Sequence, residues 1–111
     1  MPKKLNVAVI QSPGCLVGPQ ARVDWLAKAM LEHANQPYDL VVLPELFQSG
    51  YCIGDKVTEH AESSDGPFAM EVAKLAQKYD TAILYGYSEQ QGHVLFNSAQ
   101  CIEKSGKVIG H

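Results

Sequence analysis

The sequence predicts an α/β fold with a mixed β-sheet, and three observations lead to that prediction. Three short apolar segments typical of strands, residues 5–11, 38–43 and 81–87, alternate with two segments of helical periodicity. Strands that are separated by helices pair in parallel through right-handed crossovers. Beyond the third strand, turn residues stand on both sides of segment 94–102, which is typical of an antiparallel meander.

The first half of the chain is predicted to run strand, helix, strand. Residues 5–11 predict a largely buried strand, which Ser12, Pro13 and Gly14 end. The helix is predicted to start at Pro19, because proline fits the first helical turn, and to end at Asn35 and Pro37. Its apolar residues recur at steps of three and four: Val23, Leu26, Ala27, Met30, Leu31 and Ala34.

The second half begins with a polar loop, residues 48–66, in which we expect at most a short helical turn near 57–60. A helix then starts at residues 65–67, and its apolar stripe is Phe68, Val72, Leu75, Ala76 and Tyr79. Residues 90–93 predict a hairpin turn between the third strand and strand 94–102, and a second turn leads into a last strand from residue 107.

Composition limits the function classes. The apolar fraction of 46% and the charged fraction of 19% are those of a globular protein. The net charge is −3 and no basic cluster exceeds Lys3-Lys4, which disfavours a nucleic-acid or membrane partner. No apolar run approaches the roughly 18 residues of a membrane span. Asn6 and Gln11 interrupt the apolar start, so no signal peptide is indicated and a cytoplasmic protein is predicted.

The metal-ligating residue types are scattered. The cysteines Cys15, Cys52 and Cys101 form no CxxC pair and predict reduced thiols. The histidines form no HxH or HxxxH pair either: His33, His60, His93 and His111. We therefore predict neither a metal site nor a cofactor.

The last predicted strand has room for only about three residues, against a usual strand length of roughly five or six. No helix follows to cover the meander. Residues 1–111 are therefore expected to form an incomplete domain that continues beyond residue 111. The alternative is a small α/β protein with a frayed edge strand.

Glu45 is the principal candidate for chemistry. The apolar run 40–43 ends at Pro44, which stops strand pairing, so Glu45 comes where the chain leaves the sheet. Ligands of open α/β sheets gather at the carboxyl ends of strands. Residues 46–51 could wall a small pocket there, in which a raised pKa would let Glu45 act as a general base near neutral pH. The alternative is a strand-end acid that faces water or caps a turn.

Several segments resemble a known family. Residues 41–47, Val-Val-Leu-Pro-Glu-Leu-Phe, followed by Gly50-Tyr51, resemble the glutamate motif of the carbon–nitrogen hydrolases, the nitrilase superfamily. Residues 97–99 and 106–110 are similar to its next landmarks, and residues 7–11 match its first strand. The resemblance covers essentially the whole chain. It implies the amino-terminal part of a four-layer α-β-β-α sandwich.

The resemblance also implies an activity, the hydrolysis of non-peptide carbon–nitrogen bonds by a Glu-Lys-Cys triad. Glu45 matches the general base, which would take the proton of a nucleophilic thiol and then help to activate water. The family's lysine comes just after the segment that ends here at His111, and its cysteine lies well beyond, so the 111-residue chain alone is expected to be inactive. The motif is more similar to the amidase and carbamoylase branches, which implies a small amide or N-carbamoyl amine as substrate. The family also implies a homo-oligomer.

A cysteine, a tyrosine and an asparagine are the remaining candidates. Cys52, seven residues from Glu45, is the one tempting thiol, but no cation or helix start clearly activates it. Tyr51 is predicted to line the acyl pocket, with a packed loop aromatic as the alternative. Asn97 is predicted to fix the local backbone through its amide. Core or packing roles are predicted for the remaining aromatic and thiol residues: Cys15, Phe47, Tyr85, Tyr87, Phe96 and Cys101.

Two other function classes remain open. The strand–helix alternation also suits a flavodoxin-type nucleotide-binding module, whose phosphate loop would be residues 12–18. That loop lacks both GxGxxG and GxxxxGK[ST], and Pro13 removes one backbone N–H that a phosphate would use. The other alternative is a non-catalytic interaction subunit of the same fold.

Overall fold

A computed structural model describes residues 4–36, 38–51 and 53–111. Pro37, predicted to end the first helix, and Cys52, the tempting thiol, lie outside the described residues. The elements are β1 (Val7–Val9), α1 (Gly18–Glu32), β2 (Leu40–Val42), α2 (Lys56–His60), α3 (Pro67–Tyr79), β3 (Ala82–Gln91), β4 (Val94–Ile102) and β5 (Val108–Gly110). None of the helices in this part of the chain has the length and apolar character needed to span a membrane.

The five strands form one mixed sheet in the order β1-β2-β3-β4-β5. The pairs β1–β2 and β2–β3 are parallel, and β3–β4 and β4–β5 are antiparallel, which confirms the predicted mixed sheet. The edge position of β1 differs from the 2-1-3 start of flavodoxin-like sheets, so the flavodoxin-type alternative is wrong.

Helices α1 and α3 cover one face of the sheet and form a single apolar core with it. The central strands contribute Val41 and Ile83, which are adjacent in the β2–β3 register. The helices contribute Val23, Leu26, Met30, Phe68, Ala69, Val72 and Ala76. Phe47, Tyr85 and Tyr87 are buried in this core, which confirms their predicted packing roles.

The opposite face of the sheet carries neither α1 nor α3. Val9 lies on that face and is 74% exposed, and Val7 is also exposed. The prediction of a largely buried first strand is therefore wrong, because β1 is an edge strand and only alternate residues such as Ala8 face the core. Two packing predictions are also wrong: Phe96 is 45% exposed near the tip of the β3–β4 hairpin, and Cys15 is exposed in the loop after β1.

Candidate active site

Glu45 begins a tight turn at the carboxyl end of β2. The Leu43 N–H still donates to the Leu84 carbonyl of β3 (2.9 Å), and Pro44 then removes the next donor. Leu46 has a φ of +50°, a left-handed conformation that non-glycine residues seldom adopt. The Ser49 and Gly50 N–H groups both donate to the Leu46 carbonyl, at 3.2 and 2.7 Å, and they close the turn.

This turn packs directly against Gly86 of β3. A Cβ added to Gly86 would come within 2.4 Å of the Leu46 nitrogen and 2.9 Å of the Glu45 Cα. The backbones therefore touch, which only a residue without a side chain permits. The Gln48 N–H donates to the Gly86 carbonyl (3.1 Å), and the Ser88 hydroxyl donates to the Gln48 side chain (3.1 Å). The turn is thus fixed to β3 at two points.

Both oxygens of the Glu45 carboxylate accept a hydrogen bond from a neutral side chain. The amide Nδ2 of Asn97 donates to Oε1 at 2.5 Å, and the hydroxyl of Tyr51 donates to Oε2 at 2.9 Å. Asn97 belongs to β4, whereas Tyr51 follows the turn and is 57% exposed. The carboxylate is itself exposed, so the strand-end acid faces solvent but is held by two partners.

These bonds reverse the predicted effect on the acidity of Glu45. The bond from Asn97, and next the bond from Tyr51, lower the pKa of Glu45, and partial desolvation opposes them only weakly. The expected increase in pKa is wrong, because the side chain is exposed and both donors stabilise its charged form. Glu45 is therefore ionised at neutral pH and ready to accept a proton. The same hydrogen bond between Tyr51 and Glu45 also raises the pKa of Tyr51.

Asn97 is the site residue to which the sequence assigned the wrong role. Its amide contacts the Glu45 carboxylate instead of fixing the local backbone. The β3–β4 register places Asn97 opposite Ser88 and Ala99 opposite Gly86, so both face the turn that carries Glu45. The sequence alone does not reveal that Asn97 lies near Glu45, because their proximity depends on the pairing register of β3 and β4.

Two cavities meet at Glu45. The first, of about 520 Å³, lies between the turn, the loop after β1 and α2, and its polar lining includes Ser12, Arg22, Tyr51, Lys56 and His60. The second, of about 380 Å³, lies on the other side of Glu45 and is bordered by Gly86 and Asn97. Tyr51 thus lines a cavity beside Glu45; its contact with an acyl group stays a prediction.

Neither described cysteine, Cys15 or Cys101, borders the two cavities at Glu45. Burial, and then the nearby Glu103, raise the pKa of Cys101 on β4, which disfavours its thiolate. Cys15 is exposed in the loop after β1. Among the described residues no cation lies within ion-pairing distance of Glu45. The arrangement places an ionised carboxylate, which can accept a proton, next to open space.

A family model for carbon–nitrogen hydrolases matches residues 6–111. The chain therefore belongs to the carbon–nitrogen hydrolase family. It is 38% identical over 109 residues to the hydrolase in the pqqF 5′ region of Pseudomonas protegens, covering 96% of this chain and 38% of that protein. It is 33% identical over 110 residues to a nitrilase of Pyrococcus abyssi, covering 94% of this chain and 41% of the relative. The chain thus spans about two fifths of the length of these relatives.

Solved structures show the same fold. A CN-hydrolase superfamily protein of Xanthomonas campestris aligns with a TM-score of 0.80 and 27% identity, over 95% of this chain and 38% of its own. An amidase of Nesterenkonia sp. aligns with a TM-score of 0.79 and 18% identity, over 96% of this chain and 41% of its own. The α/β sheet described above is therefore that of the CN hydrolases.

Proposed function

We propose that this chain supplies the general base, Glu45, of an enzyme that hydrolyses small amides or N-carbamoyl amines. The observation that carries the proposal is the ionised Glu45 carboxylate, held by Asn97 and Tyr51 beside a cavity of about 520 Å³. A base must be unprotonated at the working pH and must border the space in which the substrate binds. Glu45 meets both requirements.

In the proposed reaction, Glu45 takes the proton of a cysteine thiol, and the thiolate attacks the carbonyl carbon of the substrate. The carbon–nitrogen bond breaks as the proton passes from Glu45 to the leaving amine. Glu45 then takes a proton from water, and the hydroxide attacks the thioester. The carbon–sulfur bond breaks, the acid is released, and Glu45 returns its proton to the sulfur. A lysine ammonium stabilises the developing oxyanion. The family resemblance implies the cysteine and the lysine, and both would lie outside these residues.

Related solved structures support an amide substrate. Mutants of the Nesterenkonia amidase have been crystallised with acrylamide and with butyramide, and in one mutant acrylamide has added to the active-site cysteine. Other relatives, such as the one of Pyrococcus abyssi, are named nitrilases, so nitriles are the competing substrate class. Amides, N-carbamoyl amines and nitriles should be offered side by side to the full-length enzyme. Turnover of nitriles alone would exclude the proposed class.

Glu45→Gln tests the base directly. The amide side chain has the same size but cannot accept the proton, so kcat should fall by about 10²–10⁴ in the full-length enzyme. Glu32→Gln, an exposed acid at the end of α1, is the matched control and should leave kcat unchanged. Wild-type turnover by Glu45→Gln would overturn the assignment of the base.

We also propose that the full-length protein is a homo-oligomer, as the resemblance to the family implies. The support from the chain itself is limited to its exposed apolar residues on the edge strands. Light scattering of the full-length protein at micromolar concentration tests this proposal, and a monomer would contradict it.

A further inference from the structure

Arg22 is the single arginine in the sequence, and it is buried. It lies in the first turns of α1, and only 5% of its surface is exposed. No described acid forms an ion pair with it. Burial lowers the pKa of Arg22, because desolvation disfavours its charged form. A buried cation without a carboxylate is costly, so its hydrogen bonds must offset the desolvation.

The donors of Arg22 join two loops at the candidate site. Nε donates to the carbonyl of Phe47, and Nη2 donates to the Ser12 hydroxyl at 3.2 Å. A longer contact, 3.5 Å, joins Nη1 to the Leu16 carbonyl. The guanidinium carbon also lies 5.2 Å from the centre of the Phe47 ring, within the range of a cation–π interaction.

One of these loops is the turn that carries Glu45. Phe47 is two residues beyond Glu45 and is completely buried. Gly50, which closes the turn and precedes Tyr51, is so near that an added Cβ would lie 3.3 Å from Nη1 of Arg22. Arg22 therefore holds the Glu45 turn from the side of α1, and Gly86 of β3 contacts the same turn from the opposite side.

We propose that Arg22 is a positioning residue, which orients Glu45 by holding the carbonyl of Phe47 while Ser12 holds the guanidinium. The inference rests on the proposed function of Glu45 and adds the residue that sets its geometry. Without Arg22 the turn has room to move toward the cavity, and the carboxylate loses its alignment with Asn97 and Tyr51. A displacement of about 1 Å at a catalytic group can cost roughly 10²-fold in rate.

The test compares Arg22→Met and Arg22→Lys with wild type in the full-length enzyme. Methionine fills the apolar volume without donating, whereas lysine keeps the charge but donates from a single nitrogen and lacks the planar fork that reaches both loops. Lys28→Met, an exposed cation on the same helix, is the matched control. Steady-state kcat, KM and the pH dependence of kcat/KM are measured for each variant, together with a thermal melt to establish that it folds.

We expect kcat to fall about 10- to 100-fold in Arg22→Met with little change in KM, and less in Arg22→Lys. The acidic limb of the pH profile should move to higher pH, because longer bonds from Asn97 and Tyr51 let the pKa of Glu45 rise. The other titratable groups that border the same cavity, Tyr51, Lys56 and His60, are unchanged in every variant. Added guanidinium at millimolar concentration should restore part of the activity of Arg22→Met.

The outcomes separate this inference from the proposed function. If Glu45→Gln is inactive but folded Arg22→Met and Arg22→Lys keep kcat within twofold of wild type, the positioning role is wrong and the base assignment stands. The positioning role would also be wrong if kcat fell while the acidic limb stayed in place and added guanidinium had no effect. That result would mean that Arg22 affects only the amount of folded enzyme. If Arg22→Met does not fold, Arg22→Lys decides by the same criteria.

Discussion

Glu45 is an exposed carboxylate whose acidity is set by two neutral hydrogen-bond donors. Asn97 and Tyr51 each occupy one of its oxygens, and both favour the charged form. Asn97 stands on a strand, whereas Tyr51 follows a glycine with a φ of +85° in an exposed loop. The oxygen held by Tyr51 is therefore the one that we expect to be freed when a proton is transferred.

Removing either donor should raise the pKa of Glu45 toward its ordinary value. A base is active only when it is unprotonated, so activity is lost as the pH falls through that pKa. The acidic limb of kcat/KM should therefore move to higher pH in both Asn97→Ala and Tyr51→Phe, and further in Asn97→Ala, because the Asn97 bond is the larger cause. The measurement is a pH–rate profile of the full-length enzyme.

Tyr79→Phe, at the end of α3 and remote from Glu45, is the control for the loss of a hydroxyl. Its profile should coincide with that of wild type. An acidic limb that stays in place in both Asn97→Ala and Tyr51→Phe would mean that these bonds do not set the acidity of Glu45.

The sequence predicted where Glu45 lies in the fold but not its environment. The apolar run, Pro44 and Glu45 follow each other directly, so a local pattern sufficed to find Glu45. Its partner Asn97 is 52 residues away, and the contact depends on the pairing register of two strands. The pKa was predicted in the wrong direction because exposure is a property of the folded chain, which the residues beside Glu45 do not reveal.

At the scale of elements, the crossing of the Glu45 turn over β3 is the tightest constraint in the site. Gly86→Ala would place a methyl group 2.4 Å from the Leu46 nitrogen, so either the turn or the strand must shift. We expect a loss of about 1–3 kcal/mol in the free energy of unfolding, as for other overpacked positions. Chemical denaturation of the full-length protein measures it.

Gly14→Ala is the matched control for Gly86→Ala. An added Cβ at Gly14 meets nothing within 4 Å, and its φ is not positive, so the change should stay within about 0.5 kcal/mol. Equal stabilities for the two variants would show that the turn does not rest on Gly86.

Elements with a long local signal were predicted well, and elements that depend on position in the sheet were not. The turns that flank residues 94–102 predicted β4 with the observed bounds, and the proline at a helix start predicted α3. β1 comprises only Val7–Val9, so it is shorter than predicted, and it is exposed. The prediction failed because the residues of a strand do not show whether the strand lies at the edge of its sheet. The third strand extends to Gln91, since pairing with β4 continues it beyond the apolar segment.

At the scale of the whole molecule, residues 1–111 place apolar groups on open edges of the sheet. Leu5, Val7 and Val9 are exposed at the β1 edge, and Val108 and Ile109 are exposed at the β5 edge. Unpaired apolar edges are templates for association between chains. A polypeptide of residues 1–111 should therefore self-associate. It should also lack amidase activity, because neither of its described thiols, Cys15 and Cys101, borders the cavities at Glu45.

Size-exclusion chromatography with light scattering, a thermal melt and an amide-hydrolysis assay test this prediction together. Val9→Lys should reduce the association, since its side chain is exposed and a lysine on an edge strand opposes pairing. A monomeric polypeptide that unfolds cooperatively and hydrolyses amides would contradict both parts of the prediction.

The β3–β4 hairpin also determines where the chain can tolerate a change in length. Asn97 faces Glu45, whereas Ile102, five positions further on, is buried against the helices on the other face of the sheet. Side chains alternate between faces, so an insertion or deletion of one residue between them would turn one of the two away. Beyond Gln91 and Val94 the turn is exposed and contacts neither group. Loops, tags or inserted domains belong at Gly92-His93, while the stretch from Asn97 to Ile102 must keep its length.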